Sequence, residues 1–124
     1  MSTRCASYCR HCFRRELILK RGHRLRPDLD EGLRWLRDHP EIRDVLISGG
    51  DPFMLPDRAI GRLIRKLREI PHLALIRIGT RIPVVLPQRV TPALLKTLRG
   101  YHRIPIWINI QCNHPREITE RMSR

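Results

Sequence analysis

The chain has 124 residues, with 25 basic against 12 acidic side chains for a formal charge of +13, 41% hydrophobic residues, 30% charged residues and four cysteines. That length suits one domain or part of a larger one, and the apolar fraction is too high for a disordered tail. No stretch approaches the ~18 consecutive apolar residues of a membrane span, and no apolar signal core follows Met1-Ser2-Thr3-Arg4-Cys5, so the expected compartment is a reducing cytoplasm, where clustered cysteines point to metal or redox chemistry.

In chain order, residues 28 to 38 are expected to be helical, with Leu29, Leu33 and Leu36 on one stripe, Asp28 or Asp30 as N-cap and Pro40 just beyond. Val45-Leu46-Ile47 is a short apolar run ending at Gly49-Gly50, a buried strand and its turn. A second helix runs from about Asp57 to Glu69, with Ile60, Leu63, Ile64 and Leu67 on one face and Arg62, Arg65, Lys66 and Arg68 off it. Leu73 to Ile78 reads as a second strand closed by Gly79. Thr91-Pro92 opens a third helix through Leu94, Leu95 and Leu98, stopped by Gly100. Ile104 to Ile110 is a third strand, and His114-Pro115 starts a fourth helical pattern with Ile118 and Met122. Strands alternating with helices at this spacing predict βαβ units and a parallel sheet.

The polar signatures fall after the strands. Ser48-Gly49-Gly50-Asp51 follows the first, Gly79-Thr80-Arg81 the second and Gln111-Cys112-Asn113-His114 the third. In parallel α/β folds the βα loops at the carboxyl ends of the strands form the ligand site, so three clusters are expected on one face.

All but three of the basic residues are arginine, the exceptions being Lys20, Lys66 and Lys96, and they are spread along the chain. The one dense run is Arg10, Arg14, Arg15, Lys20, Arg21, Arg24 and Arg26. A nucleic-acid surface concentrates its charge in a stripe interleaved with aromatics, and an acid at Asp51 in a ligand loop repels phosphate. A basic nucleic-acid-binding module is therefore the disfavoured alternative, recognisable by affinity that falls steeply with salt.

Cys5-x-x-x-Cys9-x-x-Cys12 is the strongest single motif. Three thiolates on one short loop can hold three corners of an iron–sulfur cluster and leave the fourth iron open. The alternatives are a zinc site completed by His11 or a distant histidine, and chance spacing. Cys112 reads as a small buried apolar residue. Arg81 reads either as a ligand-facing charge or as a structural pair for Asp51.

Around that motif stand Tyr8-Cys9-Arg10-His11-Cys12-x-Arg14-Arg15 and, in order, Arg43-Asp44-Val45-Leu46-Ile47-Ser48-Gly49-Gly50-Asp51-Pro52 and Leu67-Arg68-Glu69-Ile70-Pro71-His72. The long block from Ile76-Arg77-Ile78-Gly79-Thr80-Arg81 to Val90-Thr91-Pro92 follows, and then Asn113-His114-Pro115-x-Glu117-Ile118-Thr119. Together these resemble the lysine 2,3-aminomutase family of radical S-adenosylmethionine enzymes over nearly the whole chain.

The resemblance implies an α/β fold, a partial parallel (β/α) barrel of about three to four βα units. It implies a single partial domain over 1–124, with a cluster loop and basic segment at 1–27 and βα units at 28–124. It implies a 4Fe-4S cluster on Cys5, Cys9 and Cys12. S-adenosylmethionine would chelate the open iron, and its cleavage would give a 5′-deoxyadenosyl radical. That radical would take hydrogen from an amino acid held as an imine on pyridoxal phosphate. By the same resemblance Ser48, Gly49, Gly50 and Asp51 lie beside the methionine amino group, His11 lines the adenine pocket, Gln111 contacts S-adenosylmethionine and Arg14 binds the substrate carboxylate.

Two positions depart from the family pattern. Ile110-Gln111-Cys112 stands where Thr-His-Phe is usual before Asn-His-Pro, and Phe13 replaces a threonine, so substrates other than lysine stay open. The family's pyridoxal-phosphate lysine is matched by none of Lys20, Lys66 or Lys96. The expected reading is thus a fragment of the barrel, inactive by itself in amino migration, prone to oligomerise and open to completion by a complementary polypeptide.

Overall fold

The computed structural model describes residues 3–16, 18, 28–99 and 103–123. Lys20, Arg21, Arg24 and Arg26 of the basic run, and Gly100 as the expected helix stop, lie outside the described residues.

Helix α1 (Leu29–Asp38) starts where expected, because the Asp28 carboxylate accepts from the backbone N–H groups of Asp30 and Glu31 at 2.9 and 3.0 Å. Leu33 is buried beneath it, while Leu29 stays exposed. Strand β1 (Asp44–Ile47) leads through a 3-10 turn at Pro52–Met54 to α2 (Asp57–Arg68), whose Ile60, Leu63, Ile64 and Leu67 all face the core. Strand β2 (Leu75–Thr80) is followed by a short helix α3 (Ile82–Val85), a 3-10 turn at Pro87–Arg89 and α4 (Pro92–Arg99). Strand β3 (Ile106–Ile110), a 3-10 turn at Pro115–Glu117 and the four-residue α5 (Glu120–Ser123) complete the order.

The three strands form one parallel sheet in the order β1-β2-β3. The second strand is displaced from its expected place, running through Gly79 to Thr80 instead of stopping at Gly79. The cause is pairing: β3 carries the ladder on to Gly79↔Asn109 and Thr80↔Ile110, and Gly79 needs no side-chain space to join it. Leu73 is buried ahead of the strand, not in it. The third strand likewise starts at Ile106, after Pro105, which has no N–H to give to the ladder. The single helix expected from His114 is divided, because Ile118 leaves helical geometry and the Thr119 hydroxyl accepts from the Met122 N–H to begin a new turn.

Register explains which face is buried. Val45, Ile47, Ile76, Ile78, Ile106 and Ile108 fall on one face and pack with α2 and α4, whose Leu94 is fully buried. Each such buried Ile or Leu contributes roughly 1.5–3 kcal/mol. On the opposite face Leu46 and Trp107 are exposed and Arg77 pairs with Asp44 at 2.6 Å. A parallel sheet with α2 and α4 packed on one face is the layout of barrel staves, outer helices around an inner sheet. Among the described residues no helix is long and apolar enough to cross a membrane.

Candidate functional site

The loops after the three strands meet, as the alternation predicts, around one cavity of about 530 Å³ that the cysteine loop also lines. The first βα loop forms its floor. Gly49 has φ 143°, a backbone that a side chain resists. A Cβ on Gly50 would run into the backbone of Arg4, whose carbonyl accepts from the Asp51 N–H at 2.6 Å. The glycines therefore let the segment carrying Cys5 lie directly on the loop.

Asp51 is 7% exposed and turned inward. Its Oδ1 accepts from the Phe53 N–H at 3.0 Å and the Thr80 hydroxyl at 2.7 Å, and its Oδ2 from the Arg81 N–H at 2.8 Å. A carboxylate offers about four acceptor positions, so one remains for a ligand. The Asp51–Arg81 pair that the sequence left open runs through the Arg81 backbone, not its guanidinium. Thr80 completes the joint by accepting from the Ile82 N–H at 3.0 Å.

The cysteine loop is folded by local bonds, Cys12 N–H to the Cys9 carbonyl at 3.2 Å and Arg15 N–H to the Cys12 carbonyl at 3.0 Å, so Cys9 and Cys12 bracket one turn. All three cysteines are free, half-buried and on the cavity wall. Burial pushes the Cys5 thiol up from its ordinary value, with Asp51, Cys12 and Cys9 acting in the same direction and Arg14 opposing. These influences favour the protonated thiol at Cys5, so metal binding there must displace a proton.

Arg14 donates from Nη2 to the Ser48 hydroxyl at 3.0 Å, while its buried Nε has no partner. An unsatisfied guanidinium N–H on a cavity wall suits an anionic group such as a carboxylate. His11 is exposed and its Nε2 lies 2.9 Å from Gln111 Nε2, within hydrogen-bond distance. The two residues, 100 positions apart in sequence, tie the cysteine loop to the end of β3.

Cys112 is exposed and lines the same cavity, contrary to the expected buried residue. It lies just beyond the end of β3, in the loop that runs to the 3-10 turn at Pro115–Glu117. Glu117 had no assigned role. Both its oxygens meet Arg81 Nη2, at 2.9 and 3.0 Å, and Oε2 also accepts from the Asn113 N–H at 2.9 Å. That N–H, and then Arg81, hold its carboxyl below the usual carboxylate range. The signal that could have found it is scarcity, since acids are few in this Arg-rich chain and Glu117 sits within a strand-end polar block.

Among the described residues no three His, Cys, Asp or Glu side chains are grouped as a metal ion would need. The three thiols share one cavity wall. A cluster binds each thiolate to a separate iron, so the soft donor set fits that group.

A family model described as the Radical SAM superfamily matches residues 1–124. The chain belongs to the radical SAM superfamily. It is 46% identical over 121 residues to an L-lysine 2,3-aminomutase of Clostridium subterminale, covering 97% of this chain and 29% of that protein. It is 48% identical over 122 residues to a putative L-lysine 2,3-aminomutase of Aquifex aeolicus, covering 97% and 32%. It is 41% identical over 121 residues to a glutamate 2,3-aminomutase of Clostridioides difficile, covering 97% and 28%. This radical SAM chain is therefore aminomutase-like and spans less than a third of the length of these relatives. Membership implies an iron–sulfur cluster and S-adenosylmethionine, and the three-stranded parallel sheet with its packed helices is consistent with part of a radical SAM barrel.

Proposed function

We propose that this chain supplies the cluster and S-adenosylmethionine face of a radical aminomutase acting on a free amino acid with pyridoxal phosphate. The supporting observation is that the three cysteines, the Ser48–Asp51 loop and the unpartnered Nε of Arg14 line one cavity.

Cys5, Cys9 and Cys12 hold a 4Fe-4S cluster. When bound, the cluster and S-adenosylmethionine supply radical hydrogen abstraction and pyridoxal phosphate carries the amine, chemistry that side chains lack. The chain's own residues bind and orient. Ser48, Gly49 and Gly50 offer backbone to the methionine end of S-adenosylmethionine, and Asp51 fixes that loop while keeping one acceptor position for an ammonium. His11 and Gln111 form the opposite edge, against the nucleoside. Arg14 takes the substrate carboxylate, its fork braced by Ser48. Relatives named for lysine and for glutamate both match, so the substrate class is the α-amino acid, and no residue of this chain is assigned to pyridoxal phosphate.

Anaerobic reconstitution with iron and sulfide tests the reading. About four irons per chain are expected, with loss on Ala substitution of Cys5, Cys9 or Cys12 and retention in Cys112→Ala. S-adenosylmethionine is expected to alter the electron paramagnetic resonance spectrum of the reduced cluster, equally in the parent and in Arg14→Ala. Iron uptake that needs Cys112 as much as Cys9 refutes the ligand assignment.

A further inference from the structure

The cysteine motif does not account for what Arg81 does. Its Nη1 donates to the Cys9 sulfur at 3.1 Å, its Nη2 meets both Glu117 oxygens, and its backbone N–H is fixed on Asp51. Glu117 is itself held by the Asn113 N–H. The guanidinium thus has a defined position between the cysteine loop and the end of β3, and its side chain is only 14% exposed. Glu117 offsets part of this charge, so what acts most directly on the sulfur is the Nη1–H hydrogen bond, which burial shields from solvent ions.

Hydrogen bonds to ligating sulfurs and net charge beside a cluster are among the levers that set its potential. Reduction adds one negative charge to the cluster, and an N–H donor carrying positive charge at a ligand sulfur stabilises the more negative form.

We infer that Arg81, clamped by Glu117, is a positioning residue that holds the Cys9 sulfur and raises the reduction potential of the cluster bound there. This rests on the proposed ligation by Cys5, Cys9 and Cys12. Arg81 acts through the Cys9 sulfur. It makes reduction by an external low-potential one-electron donor easier than the sulfur ligands alone would.

The experiment reconstitutes the parent chain, Arg81→Gln, Arg81→Lys and, as a distant charge control, Arg62→Gln. Iron content is measured first, then the midpoint potential by titration with dithionite, read from the paramagnetic signal of the reduced cluster. In Arg81→Gln the reduced-to-oxidised ratio at a fixed potential is expected to fall at least tenfold, ~59 mV for a one-electron couple. Arg81→Lys keeps the charge without the fork and should fall by a smaller factor, while Arg62→Gln should match the parent.

A cluster-loaded Arg81→Gln with the parent's midpoint, or a higher one, overturns the inference. Where Arg81→Gln takes up no iron, Arg81→Lys decides by the same criterion. Loss of iron from both overturns the redox role and makes Arg81 a structural clasp only. Absence of a cluster in the parent chain overturns the ligand assignment as well, so the two failures are distinguishable.

Discussion

The two walls of the cavity are built differently. The Ser48–Asp51 wall grows out of the sheet: Pro52 and Phe53 are buried behind it, and the Asp51 carboxylate accepts from the Phe53 N–H, the Thr80 hydroxyl and the Arg81 N–H. The cysteine wall has Tyr8 and Phe13 exposed at 57% and 91% and almost no core of its own. Among the bonds that tie it to the rest are those from the Asp51 N–H to Arg4, from Arg14 to Ser48, from Arg81 to Cys9 and between Gln111 and His11. One wall is pre-formed by packing and the other hangs on it, leaving part of its order to come from the group it binds.

The sharpest way to break this contrast is Asp51→Ala. Removing a buried acceptor strands three donors, so stability should fall by about 3 kcal/mol, read as a lower denaturant midpoint, and iron uptake should fail with it. Asp51→Asn should recover about half, because its single carbonyl oxygen cannot serve both sides. An unchanged midpoint in Asp51→Ala would mean that the floor does not depend on this carboxylate.

Gly50→Ala separates the walls without removing a bond directly. The new methyl group must push the Arg4 backbone away, so we expect a loss of roughly 1–2 kcal/mol together with a severalfold drop in iron uptake measured at limiting iron. Parent-like uptake would show that the two segments can part without disturbing the ligands.

Replacing Cys5, Cys9 and Cys12 together by serine should change stability without iron by less than about 1 kcal/mol, since these half-buried thiols contribute little packing. Iron binding should vanish. A large loss of stability without iron would place the cysteine wall among the pre-formed parts.

The smallest effect is a titration. Glu117 has a depressed carboxyl in the fold, so its contribution is present above the unfolded value of about 4.3 and lost as pH falls through the folded value below it. The Asn113 amide resonance should therefore shift at a pH below the ordinary carboxylate range, and the same scan of Glu117→Gln should show no such step. A step that persists in Glu117→Gln would assign the titration to another acid.

The alternation of strands and helices was legible along the chain because each signal is local: the Asp28 cap, the four-residue stripe of α2, Pro92 at the start of α4. The sequence by itself also determined that polar residues would gather at the strand ends, and that three cysteines share one short loop. It did not determine where β2 ends, because Gly79 joins the ladder only through its partner Asn109. The inward commitment of Asp51, the exposure of Cys112 and the Arg81 bridge from Cys9 to Glu117 were likewise decided by tertiary structure. Arg81 and Cys9 are 72 positions apart, and Asp51 and Thr80 are 29 apart. A side chain's partner at such distances is set by strand order, register and the path of the loops, and these follow from the packing of the whole sheet against its helices.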